Sequence, residues 1–182
     1  MTLTVPRYVV VQNAYVVDDL DKAIVRFTKQ GFGPWLLLPD IQVPSVTYRG
    51  ELGSVAMSAA LTQAGDVQIE LIEPLDNTPS CFRDLFGPRE SGLHHTAMFP
   101  DDWHEAVNAY ETAGFPCANL FELPDGGAAA IMDTSSVTGH MTELYRDSEG
   151  LRQLNKSVRD LCATHSIDLV VDAGSVAQAM QR

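Results

Sequence analysis

The sequence predicts an α+β fold made of two βαβββ modules, and three observations predict it. The chain matches a displaced copy of itself, strand-like and helix-like patterning alternate in the same order in both copies, and an amphipathic stretch follows the second copy. A displacement of 83 positions places Gln12 on His95, Asp19 on Asp102, Ala23 on Ala106, Phe27 on Tyr110 and Gly31-Phe32 on Gly114-Phe115, without a gap. Chance supplies one or two such matches, but an ordered set marks a repeated unit. Further on, Glu70-Leu71 falls on Glu143-Leu144 at a displacement of 73, the missing residues being absorbed by shorter strands and loops.

Each element has a local reason. Tyr8 to Val17 is rich in valine and aromatic residues and reads as a strand with Gln12 in its middle. Asp18-Asp19 then opens a helix in which Leu20, Ala23, Ile24 and Phe27 recur at helical spacing, and Gly31 stops it. Trp35 to Leu38, Ser45 to Tyr48 and Val55 to Thr62 read as short strands separated by Pro39-Asp40, Gly50 and Gly53. Ala64-Gly65-Asp66 is a tight turn, and Val67 to Ile72 is a strand centred on Glu70. Gly92 to Phe99, G-L-H-H-T-A-M-F, restarts the series. Strand alternation sends His94 and His95 to opposite faces, so the sequence assigns His95 to a cavity with Leu93, Ala97 and Phe99, and His94 to structure. The predicted segments are a first module over 1–75, a linker with a short helix over 76–91, a second module over 92–147 and a helical extension over 148–182. In that extension Leu151, Leu154, Val158 and Leu161 recur at helical spacing, and 166–182 has room for a short strand and a final helical turn.

Composition narrows the function. Twelve basic against twenty-four acidic residues give a net charge of -12, and no basic stripe is interleaved with aromatics, so nucleic acid is excluded as a partner. Three widely spaced cysteines form neither a disulfide framework nor a metal knuckle, which fits a reducing compartment. No apolar run reaches membrane-spanning length and the N-terminus has no signal-peptide pattern, so a soluble, cytoplasmic protein is expected.

Two related modules facing each other across a pseudo-twofold axis would set Gln12 opposite His95 and Glu70 opposite Glu143. Each of these four has an ordinary explanation alone: strand glutamates are usually solvated, and a histidine is often a satisfied core residue. Their shared repeat positions point instead to one concave site. Two carboxylates buried together need a raised pKa or a cation. An oxygen-rich donor set with one imidazole suits a hard to borderline divalent ion.

These residues resemble a known family. V-V-D-D-L-D-K-A after Gln12, E-L-I-E-P-L from Glu70, G-L-H-H-T-A around His95 and T-E-L around Glu143 are similar to motifs of the vicinal oxygen chelate superfamily. It includes glyoxalase I, methylmalonyl-CoA epimerase, extradiol dioxygenases and bleomycin-resistance proteins. The resemblance spans Tyr8 to Tyr145. It implies an open, U-shaped mixed sheet around one divalent metal (Zn, Ni, Co, Mn or Mg, with zinc favoured) held by Gln12, Glu70, His95 and Glu143. It also implies a homodimer. Gln12 stands where the epimerases usually carry His, and Ala56 falls near the place of their second catalytic carboxylate.

The expected activity is that of an isomerase or lyase, like lactoylglutathione lyase or an acyl-CoA epimerase. It moves a proton next to a carbonyl of a thioester, hemithioacetal or aromatic substrate, with Glu143 as base and Glu70 as its reserve. The alternative is a binding protein without chemistry, its pocket lined by Trp35, Tyr48, Phe99, Met132 and Tyr145. A third reading, an extradiol dioxygenase, is opposed by Gln12 in place of a histidine. Arg49, Arg83 and Arg89 are candidate contacts for an anionic substrate group.

Overall fold

The computed structural model describes residues 7–173. Its elements in chain order are β1 (Gln12–Val16), α1 (Leu20–Thr28), β2 (Trp35–Tyr48), β3 (Glu51–Ala64), β4 (Val67–Pro74), α2 (Cys81–Leu85), β5 (Gly92–Met98), α3 (Trp103–Thr112), β6 (Cys117–Glu122), β7 (Ala128–Met132), α4 (Ser135–Thr138), β8 (Met141–Arg146), α5 (Glu149–Thr164) and β9 (Val170–Asp172). The duplication is visible at the level of caps. Asp19 accepts from the Lys22 backbone N–H, and Asp102 from that of Glu105, each at 2.9 Å, satisfying a free donor of the first turn. Each helix ends on a glycine with positive φ, Gly31 at 96° and Gly114 at 91°. In each the next residue bonds back across the end, Phe32 to the Phe27 carbonyl and Phe115 to that of Tyr110. Only glycine takes that left-handed turn without strain.

The strands form one sheet in the order β3-β4-β1-β5-β8-β7-β6-β2-β9, with β2 returning to β3. β1 and β5, the opening strands of the two copies, lie antiparallel side by side, while β4 runs parallel to β1 and β8 parallel to β5. The expected U is drawn together on its far side, where Thr47 and Tyr48 of β2 pair with Leu120 and Asn119 of β6. The concave sheet therefore closes into a barrel. The separate strands expected over 35–48 are one strand, because register shifts fall between Leu38 and Ile41 and between Val43 and Val46. Pro39-Asp40 and Pro44-Ser45 are the residues skipped, and a bulge is where a strand tolerates a residue lacking an N–H.

Helices α1 and α3 cover the outer face. Leu20, Ala23 and Ile24 pack on Trp35, Ile69 and Leu71, and Ala106 and Tyr110 on Met98, Met132 and Leu144. The inner face holds Ala14, Val16, Ile72, Ile131, Met141 and Phe82. Among the described residues no helix is long and apolar enough to cross a membrane. The expected strand in the tail is β9, parallel to β2; a further helical turn falls on 174–182, outside the described residues.

Helix α5 differs from the other two long helices in where it lies. Val158 is fully buried against Leu36 and Leu61, with Leu154 and Leu161 packed beside it. Leu61 is the register partner of Glu70, so α5 rests on the same face as that carboxyl. Val158→Asp should therefore place a charge in an apolar contact and lower stability by about 2–4 kcal/mol. A thermal melt together with limited proteolysis of the tail reads this; an unchanged melt would mean that α5 is not held there.

Candidate active site

The strand registers decide which side chains share a face. Gln68, Gln12, Ala97 and Glu143 form one row across β4, β1, β5 and β8, and Glu70, Ala14, His95 and Met141 form the next. Residues two apart on a strand also share a face. All four candidate residues, Gln12, Glu70, His95 and Glu143, thus point to the barrel interior. Gln12, His95 and Glu143 are buried, and Glu70 is half-buried.

Their contacts are unequal. His95 Nε2 lies 3.1 Å from Glu143 Oε2, yet the two are not aligned as a hydrogen bond, and neither atom has another partner among the described residues. Gln12 is held at both ends: its amide donates to Gln68 at 2.6 Å and its carbonyl accepts from the Tyr145 hydroxyl at 2.8 Å. Gln68 in turn donates to Asn155 of α5 at 3.1 Å. Among the described residues no three His, Cys, Asp or Glu side chains converge closely enough to hold an ion by themselves.

Electrostatics tie Glu70 to the buried pair. Burial pushes the Glu70 pKa up to about 7 from the ordinary 4.5, with the Glu143 charge adding to the rise and His95 opposing it. For His95, burial favours the neutral ring, but the Glu143 and Glu70 carboxylates outweigh it and raise the pKa. A carboxyl whose pKa is raised by folding keeps its proton in the native state where the unfolded chain has lost it. Its contribution is therefore most favourable below pH 4.5 and is lost as pH rises through about 7. In chelator-treated protein Glu70→Gln should stabilise the fold at pH 8 by about 1–3 kcal/mol, at ~1.4 kcal/mol per pKa unit, and change little at pH 4. Thermal melts at the two pH values check this. Destabilisation at pH 8 would mean that Glu70 is held ionised by favourable partners.

Strand alternation misplaces His94. Ala14 pairs with His95 but Tyr15 pairs with Leu93, so His94 is the extra residue of a β-bulge. A bulge turns two successive side chains to one side. His94 therefore stands inside beside His95, their Nδ1 atoms 2.8 Å apart. Leu93, expected in the cavity, falls opposite Tyr15, which packs on Phe27 of α1 outside the barrel. His94 also rests 4.9 Å, ring to ring, from Phe82 of α2. Burial, with His95 beside it, lowers its pKa to about 3.

The expected pocket lining divides in the same way. Trp35 and Met132 lie under α1 and α3 on the outer face, and the Tyr48 hydroxyl donates to Asp84 at 2.7 Å. Phe99 and Tyr145 remain, with Gln12, Gln68, Asn155 and Arg159, around a cavity of about 190 Å³. Arg49 is committed to Asp84 and Asp133 at 2.7 and 2.8 Å, and Arg83 donates to the carbonyls of Pro74 and Asp76, so neither is free for a substrate anion. Gln68 and Asn155 are additions to the expected site. Gln68 was within reach, being two places before Glu70 on one strand; Asn155 lies on a helix whose docking no local pattern announces.

In chemical type, though not in their spacing here, the donors suit a divalent cation. Two buried polar atoms, His95 Nε2 and Glu143 Oε2, face each other without an aligned hydrogen bond, and a second carboxyl on the same face resists ionisation. A cation between them relieves both conflicts. The Gln12 carbonyl keeps one lone pair beyond the bond from Tyr145.

The model of the Glyoxalase/Bleomycin resistance protein/Dioxygenase superfamily matches residues 11–131. Among solved structures, methylmalonyl-CoA epimerase of Mycobacterium tuberculosis is similar with a TM-score of 0.53 at 16% identity, over 79% of this chain and 91% of that one. A hypothetical protein of Bacillus halodurans is similar with a TM-score of 0.52 at 18% identity, over 78% and 95%. At such identities the likeness is one of fold. Comparison with curated proteins returns no match. With its paired βαβββ units, their opening strands joined at the centre of one curved sheet, the chain belongs to the glyoxalase/bleomycin resistance protein/dioxygenase superfamily.

Proposed function

We propose that the protein is a divalent-metal-dependent isomerase or lyase that moves a proton next to a carbonyl. The observation that carries this reading is the buried contact of His95 with Glu143, 3.1 Å apart and without an aligned hydrogen bond, with Glu70 on the same face. His95, Glu143 and Glu70 would hold the ion, and Gln12 would complete the set with its carbonyl oxygen. When bound, the metal supplies Lewis-acid stabilisation of the negative charge that develops on a substrate oxygen. Glu143 accepts the proton from the carbon next to the carbonyl and returns it. Glu70, the other carboxyl on the same face, is the reserve base. Tyr145 and Gln68 fix the Gln12 carboxamide between them. The inner-face apolar residues keep bulk water from the exchanged proton.

The substrate class we favour is a thioester, as in the epimerases that share the fold, with a hemithioacetal next and an aromatic compound last. Zinc is the preferred ion among Zn, Ni, Co, Mn and Mg. A homodimer and a cytoplasmic setting belong to the same proposal, the second supported by the free cysteines Cys81, Cys117 and Cys162. One observation favours a second reading, ligand binding without chemistry: the cavity beside Gln12 and Tyr145 has walls that do not include Glu70, His95 or Glu143.

Two measurements separate these. Protein purified without chelator should carry about one divalent ion per chain and exchange deuterium from solvent into methylmalonyl-CoA at the carbon between its two carbonyls. A hemithioacetal of an α-ketoaldehyde serves as the second probe. A metal-free chain that exchanges neither substrate would overturn the enzymatic reading and leave the binding one.

A further inference from the structure

We infer that His94 is a positioning residue, which fixes the ring of His95 with a proton on Nδ1, so that Nε2, the nitrogen beside Glu143, is the one left for an ion to take. The direction of the proton chain follows from its far end. His94 Nε2 lies 2.9 Å from the Cys81 carbonyl oxygen, which can only accept, so Nε2 carries the proton. The ring is fully buried and flanked by Phe82 and Phe86, at 4.9 and 6.4 Å between ring centres. An apolar cage of this kind favours the neutral imidazole. In a neutral ring with Nε2 protonated, Nδ1 is an acceptor. It faces His95 Nδ1 at 2.8 Å, and two bare nitrogens at that distance would repel, so the proton between them belongs to His95.

The remaining nitrogen of His95 is then the one in contact with Glu143 Oε2, where no aligned hydrogen bond exists. A neutral imidazole that protonates its far nitrogen against a fixed acceptor is the arrangement that presents a lone pair to an ion, and supports of this type tune a ligating histidine. The anchor is itself held: Cys81, the first residue of α2, donates its backbone N–H to Asn119 Oδ1 of β6 at 3.1 Å. The bulge makes the contact possible, since an unbroken strand would send His94 to the outer face.

The tautomer assignment stands on geometry alone; only its consequence for ion binding rests on the metal reading above. Histidine-labelled, chelator-treated protein is examined by long-range ¹H–¹⁵N correlation of the imidazole nitrogens. The expected pattern is a protonated Nδ1 on His95, and on His94 a protonated Nε2 with a bare Nδ1. A proton on His94 Nδ1, or a bare His95 Nδ1, overturns the inference, and this spectrum decides it even if a variant does not fold. In His94→Phe the His95 proton should redistribute toward Nε2. His94→Gln, whose amide can both accept from His95 and donate to the Cys81 carbonyl, should keep it on Nδ1. An unchanged His95 pattern in a folded His94→Phe protein also overturns the inference. Titration with Zn²⁺ gives the separate arm: about 10–100-fold weaker binding in His94→Phe, largely restored in His94→Gln. Absence of Zn²⁺ binding by the wild-type chain sinks the metal reading while the nitrogen spectrum still tests the tautomer.

Discussion

Glu143→Gln should reduce proton exchange next to the substrate carbonyl by about a thousandfold, within the ~10²–10⁴ that a positioned general base contributes. The amide keeps the shape and an oxygen donor but cannot take a proton. Its place on β8, opposite Ala97 and in the same row as Gln12, is secured by backbone pairing that the substitution leaves alone. Deuterium incorporation into methylmalonyl-CoA under single-turnover conditions reads the loss, and metal analysis of the same sample should find the ion retained at reduced affinity. Exchange at the parental rate would remove Glu143 from the base role and turn attention to Glu70, the other carboxyl on the same face. A double variant, Glu143→Gln with Glu70→Gln, then separates a shared base from a substituted one.

The second large effect concerns the imidazole. His95→Ala should weaken Zn²⁺ binding by more than the ~100-fold at the upper end of what supporting residues around a metal contribute, because it deletes the one nitrogen donor in the proposed set. Calorimetric titration of the chelator-treated protein measures it. Retention of parental affinity would show that the ion, if bound, sits elsewhere. The fold is expected to survive, since His95 is one of several inward residues and its removal leaves the buried cluster that includes Ala14 and Met141; a far-ultraviolet spectrum and melting curve confirm that the comparison is between folded proteins. His95→Ala also removes the side chain that faces Glu143 Oε2, so the buried carboxyl loses its imidazole neighbour. Some loss of stability is therefore expected.

Much of the architecture was legible because both copies carry the same local instructions. An aspartate at the start of the helix, an aromatic on its buried stripe and a glycine at its end are short-range signals, and Asp19 and Asp102, Phe27 and Tyr110, Gly31 and Gly114 act in the structure as the sequence suggests. The period of two along β1, β4, β5 and β8 also placed Gln12, Glu70, His95 and Glu143 on one face. What alternation could not reveal is a one-residue insertion. The bulge at His94 leaves composition and spacing unchanged and shows only in the partner strand, where Ala14 and Tyr15 are matched to residues two apart. The reach of β2 across two prolines was hidden for the same reason, as the partner strand absorbs the skipped residues. Long-range events were equally silent. The two-pair closure of β2 on β6 joins residues more than seventy positions apart, and the bond from Gln68 to Asn155 spans 87.

The placement of α5 has a practical consequence for anyone who trims the chain to its repeated core. Ending the protein near Asp147 would uncover Leu36 and Leu61, which Val158 now shields, and would return Gln68 to water in place of Asn155. Such a fragment presents a greasy trough beside its polar centre, the sort of surface through which copies stick to one another. Poor solubility of a shortened protein would then report a missing wall, and need not mean that the twin units themselves are unable to fold.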